Sequence, residues 1–422
     1  MSHPGTRPLA AIVDGYSTGN FLPPAFDRLG VDVVHVQSTD ELMPSMLGPA
    51  LADYTGNLVC ADAAAVETTV AELARLGVVA VLAGQEPGVP LADLLSERLG
   101  LATNGSALSV ARRDKHAMIE AVAAAGLRCA RQLRTADPDE AVAWAREQDF
   151  PVVVKPLSSA STDNVFICAG PDEVRAAAEK VLSSLDIFDL PNRELLVQTY
   201  LAGTEYIVDT VGVDGAHYVC GVWRYEKSTT TNGKPIYDKD VLCAADEDPV
   251  PQLIEYTLEA LDALGVRNGP VHAEVIMTPE GPALVEMGAR LNGNMNPGFH
   301  DTCLGANQAA LIALAYADPD AFGQRYAGQV YRKRQAAVVH NTSTTLAGVV
   351  RAVDQAAVDK IDSLSSVYFT SVKLAPGKRL RATVDLLSSP LRIFMTAPDE
   401  GRIRADCETI RTLKDDVYVL EG

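Results

Sequence analysis

The sequence has few cysteines and no pair with C-x-x-C spacing: seven cysteines, an odd number, are scattered along 422 residues. This pattern indicates neither a disulfide framework nor a zinc site, and it is typical of a reduced, cytoplasmic protein. The sequence also lacks an apolar run of about 20 residues, and its first residues lack a charged segment followed by an apolar one. We therefore predict neither membrane insertion nor export.

Positive charge is in short supply as well. Lys and Arg number 36 against 55 Asp and Glu, which leaves a formal net charge of −19. A nucleic acid or an anionic membrane would require clustered Lys and Arg, so neither is expected as a partner. No internal repeat or low-complexity tract occurs. The length and the 47% hydrophobic content predict an ordinary globular protein of two to four domains.

The first hundred residues alternate between apolar runs and amphipathic stretches. Four runs are short enough to be strands, and they span Leu9–Val13, Val31–Val36, Leu58–Cys60 and Val78–Ala83. The stretches between them have the composition and end signals of helices, such as Gly77 after ADAAAVETTVAELARL. This alternation predicts an α/β domain with a parallel sheet covered by helices on both faces.

The middle of the chain changes character. Residues 194–226 read as antiparallel strands separated by turn residues, and residues 271–287 read as a hairpin around Pro279-Glu280-Gly281. Residues 227–249 are polar and predict a mobile loop, and residues 301–318 predict a helix. The loop is a candidate lid, whose Lys227, Lys234 and Lys239 either approach an anion or are simply solvated.

The predicted hairpin carries two glutamates, Glu274 on its first strand and Glu286 on its second. Strand alternation brings them side by side if the strands pair about the turn. Adjacent carboxylates in an apolar hairpin are costly unless a cation neutralises them, and Mg²⁺ prefers carboxylate and phosphate oxygens. The alternative is a pair of edge-strand glutamates that face water.

Two further segments suggest anion and nucleotide binding. Lys155 ends the apolar strand PVVVKP just before a serine-rich loop, where it either reaches a phosphate or extends into solvent. The loop does not match the G-x-x-x-x-G-K-[ST] phosphate motif. In VQTYLAGTE, an extended segment precedes Glu205, which either binds ribose hydroxyls or lies on the surface of a plain hairpin.

Taken together, four segments in this order resemble the ATP-grasp superfamily: RDKHAMIEAVAAAGL, PVVVKP, VQTYLAGTEYIVD and HAEVIMTPEGPALVEMGAR. The resemblance covers residues 111–300. It implies an ATP-grasp fold made of α+β subdomains and preceded by a Rossmann-like parallel α/β domain. The implied divisions are an N-terminal domain, two ATP-grasp subdomains and a C-terminal α/β subdomain, at residues 1–112, 113–187, 188–300 and 301–422.

The resemblance also implies roles for individual residues. ATP is expected to contact Lys115, Lys155, Ser158, Ser159, Gln198, Leu201 and Glu205, with Gln198 and Leu201 acting largely through their backbone. Glu274 and Glu286 are expected to hold Mg²⁺, with Mn²⁺ as an alternative. Arg290 is expected to face an acyl-phosphate and the tetrahedral intermediate, because its guanidinium group is permanently charged and can bind two oxygens at once.

Within the superfamily the layout is similar to the L-amino acid ligases of the bacilysin-synthetase type. Two departures occur. Gly288 replaces a frequent Asn, so one metal contact is absent or comes from water or Asn292. Asn292, Gly293 and Asn294 replace a bulky aromatic, which predicts a more open or more polar substrate pocket.

The resemblance implies an enzyme that joins a small carboxylate to a small amine through an acyl-phosphate, with release of ADP. Amino acids or amino-acid-like molecules are the expected substrates, and superfamily habit favours a homodimer. Two alternatives stay open. One is a ligase or carboxylase that uses a different carboxylate, such as a purine-pathway-like one. The other is an ATP-binding protein without catalytic activity.

Overall fold

The computed structural model describes most of the chain, in the ranges 7–44, 46–157, 164–185, 191–229 and 235–421. Within these ranges the strands form four sheets. Ser158, Ser159 and Lys234 lie outside the described residues. No helix in the described part of the chain is both long enough and apolar enough to cross a membrane.

The N-terminal sheet is parallel and has the strand order β3-β2-β1-β4. Its strands are apolar because β1 lies in the centre and the crossing helices cover the sheet. The helix α2 ends at Gly77, whose φ of 69° suits a residue without a side chain. In chain order the elements are β1 (Leu9–Val13), α1 (Leu22–Asp27), β2 (Asp32–Gln37), β3 (Asn57–Val59), α2 (Val66–Leu76), β4 (Val78–Ala83) and α3 (Val89–Arg98).

A second, antiparallel sheet of order β5-β8-β6-β7 follows. Asp114 and Asp137 cap the helices α4 and α5 by accepting hydrogen bonds from backbone N–H groups of the first turn. The elements are α4 (Lys115–Ala124), β5 (Gln132–Thr135), α5 (Pro138–Arg146), β6 (Val152–Pro156), β7 (Phe166–Cys168), α6 (Pro171–Leu182) and β8 (Leu195–Thr199). This sheet and the helices α5 and α6 enclose a small apolar core of their own.

The largest sheet has eight antiparallel strands, in the order β13-β12-β9-β10-β11-β14-β18-β16. Its first elements share one large core with the N-terminal sheet. In chain order they are β9 (Thr204–Val213), β10 (Ala216–Thr229), β11 (Pro235–Leu242), α7 (Val250–Ala263), β12 (Gly269–Thr278), β13 (Gly281–Gly288), α8 (Pro297–Leu304), α9 (Gln308–Ala317) and α10 (Pro319–Arg325).

The C-terminal elements complete that sheet and add a small one of order β17-β15-β19. They surround a third apolar core. These elements are β14 (Ala336–Asn341), β15 (Gly348–Val353), α11 (Gln355–Asp362), β16 (Val367–Val372), β17 (Arg379–Leu380), β18 (Leu391–Ala397), α12 (Glu400–Leu413) and β19 (Tyr418–Leu420).

Two expectations about local structure are wrong. Much of the predicted loop 227–249 belongs to strands, because β10 and β11 pair as far as Thr229 and Pro235. Its charged side chains lie in strands because they have partners there, such as the carboxylate of Glu205 for Lys227. The predicted helix 301–318 is two helices, since the chain turns at Gly305, where φ is 84°.

Candidate active site

The glutamates of the hairpin lie opposite each other. The register of β12 and β13 pairs Glu274 with Glu286, with a bulge just after Glu274. The turn between the strands suits Gly281, whose φ is 122°, and Thr278 Oγ1 donates a 2.7 Å hydrogen bond to the Gly281 carbonyl oxygen. Two carboxylates therefore share one face of the sheet next to a tight, well-bonded turn.

Cations from two other elements meet this pair. Lys115, the first residue of α4, contacts the Glu286 carboxylate through its Nζ atom. Burial raises the pKa of Glu286, but the charges of Lys115, Lys155 and Arg290 and the hydrogen bond from Lys115 hold it below its ordinary value. Glu286 therefore stays ionised and available to a cation.

Lys155 lies at the end of β6 with its side chain almost fully buried. The pKa of Lys155 is lowered to about 8, mainly by burial and also by the positive charge of Lys115, against the opposing charges of Glu286, Glu274 and Glu205. Two lysines and three carboxylates thus lie within electrostatic reach of one another. A polyphosphate with a divalent cation would fit such a cluster, because the lysines favour the phosphates and the carboxylates favour the metal.

Glu205, near the start of β9, is buried and fully engaged by hydrogen bonds. Lys227 Nζ lies 2.6 Å from Glu205 Oε2, and Tyr237 donates to both carboxylate oxygens at 3.1 and 3.2 Å. Burial and the nearby charge of Glu274 raise the pKa of Glu205. Lys227 and Tyr237 are therefore the partners of Glu205 in the described structure, and its role in binding ribose stays a prediction.

The predicted adenine-binding segment lies in β8 and just beyond it. Because β8 is an inner strand between β5 and β6, the backbone at Gln198 belongs to the sheet, and its side chain donates to Gln132 Oε1 at 3.1 Å. Leu201 follows the last strand residue, Thr199, so its backbone is outside the strand ladder. Of the two, Leu201 is therefore the better placed to offer backbone groups to a ligand.

Arg290 follows β13 and is held at both ends of its guanidinium group. Its Nε donates to Glu86 Oε2 at 3.1 Å, and one terminal nitrogen donates to the Leu291 carbonyl oxygen at 2.8 Å. Arg113 donates to the other oxygen of Glu86 at 2.9 Å. Glu86, in the turn after β4, was missed at the sequence level, although the carboxyl ends of parallel strands are where such residues gather.

Glu86 explains the departure at Gly288. A Cβ atom added at Gly288 would lie 2.8 Å from Glu86 Oε2 and 3.3 Å from both Cγ and Nε of Arg290. The ion pair between Glu86 and Arg290 therefore fills the space that a side chain at position 288 would occupy. Asn292 does not take over there, because its Nδ2 donates to Asp209 Oδ2 at 2.7 Å and its Oδ1 accepts from Asn294 N at 2.7 Å.

His272 links Asp209 to the hairpin and was not singled out from the sequence. Its Nδ1 lies 2.9 Å from Asp209 Oδ1, and its Nε2 lies 3.6 Å from Glu274 Oε1. Burial lowers the pKa of His272, but the hydrogen bonds to Asp209 and Glu274 outweigh it and raise the pKa to about 9. With a 3.2 Å hydrogen bond from Tyr225, this imidazolium fixes the orientation of Glu274.

Around the predicted substrate residues the structure is open and polar. An added Cβ at Gly293 would meet nothing within 4 Å, and Asn294 Nδ2 donates to Asp240 Oδ2 at 2.6 Å. Within the described residues, no group of three or more His, Cys, Asp or Glu side chains could hold a metal alone. Glu274 and Glu286 would bind Mg²⁺ only together with phosphate oxygens, which is how proteins commonly bind it.

Known proteins resemble this chain in sequence and in fold. A family model described as ATP-grasp domain matches residues 148–297. Dapdiamide A synthase of Enterobacter agglomerans is 35% identical over 429 aligned residues, which cover 100% of this chain and 99% of the relative. This chain belongs to the ATP-grasp ligases. The family expected from the sequence and its enzymatic class are thereby confirmed.

Two further proteins match at lower identity. Alanine–anticapsin ligase of Bacillus subtilis is 23% identical over 51% of this chain and 49% of its own length. The crystal structure of an L-amino acid ligase from Bacillus licheniformis superposes with a TM-score of 0.74 at 17% identity, over 99% of this chain and 100% of that one. The expected α/β fold, with its parallel N-terminal sheet, is confirmed. The description of the matching family model indicates that its members use ATP.

Proposed function

We propose that this ligase joins an amino acid, or an amino-acid-like carboxylate, to an amine in a reaction that depends on Mg²⁺. The observation that carries the proposal is the meeting of Glu274, Glu286, Lys115, Lys155 and Arg290, which come from separate parts of the chain. Neutralisation of charge is what phosphoryl transfer to a carboxylate needs most. The lysines and the arginine can neutralise negative charge on the phosphates, and the glutamates can bind a metal cation.

Glu274 and Glu286 would hold the metal, and Mg²⁺ would neutralise charge on the phosphates when it is bound. Mn²⁺ offers similar oxygen chemistry. Lys115 contacts Glu286 in the described structure, so it lies within reach of phosphates that approach the pair. Lys155 would contact phosphate from β6, and Glu205 the ribose from β9.

Arg290 would stabilise the acyl-phosphate and the oxyanion that forms as the amine attacks. An arginine has five N–H donors, and two of them are used within the described residues, one on Glu86 and one on Leu291. The remaining donors are available to substrate oxygens. Glu86 holds the guanidinium group in one orientation, which reduces the reorganisation needed during reaction.

The names of the relatives support the substrate class. Alanine–anticapsin ligase, a relative by sequence, has an amino acid in its name as a substrate. Structures of N5-carboxyaminoimidazole ribonucleotide synthetase also resemble this chain, with a TM-score of 0.69 at 14% identity in one case, and that likeness concerns the fold alone. Amino acids are therefore the substrates to test before purine-pathway carboxylates.

The test is a matrix of small carboxylates and amines, assayed for release of ADP and phosphate, with mass spectrometry of the products. We expect release to require one carboxylate and one amine together, and the product mass to equal their sum less one water. ATP binding without release by any pair would instead identify a non-catalytic ATP-binding protein. Release with a carboxylate that is not an amino acid would instead identify a ligase or carboxylase that acts on a different class of carboxylate.

Three further expectations belong to this proposal. The division at residues 112, 187 and 300 stays a prediction, which limited proteolysis can test. A homodimer is expected by family habit and is measurable by light scattering. A reducing compartment such as the cytoplasm is supported by seven free cysteines, of which six are buried.

A further inference from the structure

A second group of charged and polar side chains lies beyond the hairpin on the eight-stranded sheet. It consists of Asp240 on β11, Asn341 on β14, Arg392 on β18 and Lys373, which follows β16. We refer to these four residues as the β11–β18 cluster. None of them was identified from the sequence as functional, and none is needed to bind ATP in the scheme above.

Two atoms of the cluster are buried without a hydrogen-bond partner. Asp240 and Asn341 are each only 2% exposed, and Asp240 Oδ1 and Asn341 Nδ2 lack a partner in the described structure. Their other polar atoms are engaged, since Asp240 Oδ2 accepts from Asn294 and Asn341 Oδ1 accepts from Arg392 Nε at 3.2 Å. An orphaned acceptor and an orphaned donor are each unfavourable. They are complementary to a ligand that has both an ammonium group and a carboxylate.

The charges in the cluster stand apart instead of pairing. No ion pair within 4.0 Å joins Asp240 to Arg392 among the described residues, and β14 lies between their strands, β11 and β18. Two strand spacings correspond to about 10 Å between the backbones. The register pairs Asp240 with Val339 and Arg392 with Asn341, so the anion and the cation flank the same face of β14.

The cationic side of the cluster has no anion in contact to balance it. The pKa of Lys373 is lowered to about 7, mainly by burial and also by the charge of Arg392, against weaker opposing effects of Asp385 and Asp240. Burial lowers the pKa of Arg392 as well. Lys373 Nζ donates only to the Leu386 carbonyl oxygen, at 3.3 Å, among the described residues. A bound carboxylate would relieve the repulsion between the two cations.

The strand register shows which end of the cluster lies nearer to the hairpin. Asp240 lies opposite Tyr225 in the β10–β11 pair, and Tyr225 donates its hydroxyl hydrogen to Glu274. Asp240 is therefore the end nearer to the phosphate site, while Arg392 and Lys373 are the farther end. A ligand held here would have its amino group toward the acyl-phosphate and its carboxylate away from it.

We propose that the β11–β18 cluster binds the amine substrate, and that this substrate is an amino acid with a free carboxylate. Asp240 accepts hydrogen bonds from the amino group, and Arg392, Asn341 and Lys373 bind the carboxylate. The carboxylate at this position does not react, so it becomes the C-terminal carboxylate of the product. This assignment rests on the proposed ligase function and names the class of its second substrate.

The first test uses the wild-type protein. The proteinogenic L-amino acids and their carboxamides are titrated one by one by calorimetry in the presence of Mg²⁺ and a non-hydrolysable ATP analogue, and the same compounds are tried as amines in the ADP-release assay. We expect at least one amino acid to be preferred over its carboxamide by about 10-fold or more, the typical effect of a charged hydrogen bond. Equal use of acids and carboxamides, or no use of any free amino acid, would overturn the proposal.

Variants then locate the effect. In Arg392→Met the preference for the acid over the carboxamide should fall to about twofold or less, because only the carboxylate contact is lost. Asp240→Asn should weaken acid and carboxamide to a similar extent, because both carry the amino group. The control is Arg381→Met, the same change at an exposed arginine near β17, which should keep the wild-type preference. If Arg392→Met does not fold, Lys373→Met and the comparison of amino acids with carboxamides in the wild-type protein still test whether the cluster binds a carboxylate.

The outcomes separate this inference from the ligase proposal. Arg392-dependent binding of an amino acid without ligation by any substrate pair would leave the cluster intact and refute the ligase function. Ligation whose rate depends neither on a carboxylate in the amine substrate nor on Arg392 would refute the role of the cluster and leave the ligase function intact. An increase in KM for the acid substrate alone in Arg392→Met would assign the anion site to the acyl donor and refute the proposal.

Discussion

In the β12–β13 hairpin the opposite charges touch, whereas in the β11–β18 cluster they stand apart. Lys115 contacts Glu286 directly, and His272 bridges Asp209 and Glu274. Among the described residues, Asp240 and Arg392 have no such contact, and Asp240 Oδ1 and Asn341 Nδ2 lack a hydrogen-bond partner. A self-satisfied cluster holds its residues in place before ligands arrive, while an unsatisfied one needs a ligand to be complete.

The largest expected effect concerns the hairpin. Glu274→Gln and Glu286→Gln should each lower the ligation rate by about 100-fold or more, since uncompensated phosphate charge costs several kcal/mol in the transition state. The fold should persist, because Gln has the size of Glu and can still accept the hydrogen bonds from Lys115 and Tyr225. Steady-state ADP release and thermal unfolding measure the two effects.

The matched control for these variants is Glu280→Gln, at the exposed turn of the same hairpin, which should keep wild-type rates. Near wild-type rates in both Glu274→Gln and Glu286→Gln would show that the hairpin does not hold the metal.

Next in size is the effect of Arg290→Lys, which keeps the charge but loses the planar geometry of two donors. ATP affinity should be retained, while amide formation should lose about 2–4 kcal/mol of transition-state stabilisation, by analogy with removal of one oxyanion donor. ADP and amide are measured in the same reaction, because some acyl-phosphate is expected to leak to water.

A lower ATP affinity with an unchanged ratio of amide to ADP would move Arg290 to the nucleotide site. An unchanged amide rate would make it a structural residue that only binds Glu86. The exposed Arg325→Lys serves as the control with the same chemistry.

A smaller effect is expected for Lys155→Met, which should weaken ATP binding about 10- to 100-fold and adenosine binding hardly at all. Glu205→Ala should weaken both ligands, because they share the ribose. Since the pKa of Lys155 is lowered to about 8, its charge is present below that pH and is lost above it. Wild-type ATP affinity should therefore fall as the pH rises through about 8, and Lys155→Met should lack this part of the slope.

Calorimetry over a pH series with ATP and adenosine measures both parts of this prediction. Equal losses for the two ligands in Lys155→Met would exclude a contact between Lys155 and phosphate.

The smallest effect concerns the packing beside the hairpin. Gly288→Asn should lower the free energy of unfolding by about 1–3 kcal/mol, the usual range for overpacking, because the added Cβ lies 2.8 Å from Glu86 Oε2. Adding Glu86→Ala should recover part of the loss, and a double-mutant cycle measures the coupling. Gly293→Asn, where the added atom has open space, is the control. Additive losses would show that Glu86 does not fill the site at Gly288.

Several parts of the site could be predicted because their signals are local. Glu274 and Glu286 are twelve residues apart on two strands joined by a recognisable turn, and strand alternation decides which side chains share a face. Lys155 ends an apolar run that is a strand in the structure. Such signals depend on neighbours in the sequence, so they need no knowledge of the remaining chain.

Other parts could not be predicted for equally physical reasons. Polar composition made residues 227–249 look like a loop, but a polar strand is stable where its charges find partners across the sheet, as Lys227 does with Glu205. Glu86 contacts Arg290 across 204 residues of sequence, and nothing near either residue in the sequence indicates the other. Gly288 looked like a missing ligand until its neighbours were known.

The sequence by itself determined the family, the parallel N-terminal sheet and the pair of carboxylates, because periodicity, turn residues and ordered motifs are properties of short segments. The tertiary structure alone decided which charges are satisfied and which are not. That depends on the order β11-β14-β18 in the large sheet, which brings Asp240 and Arg392 to either side of one strand although 152 residues separate them. Electrostatic complementarity is a matter of distance and burial, and neither is encoded in any one segment.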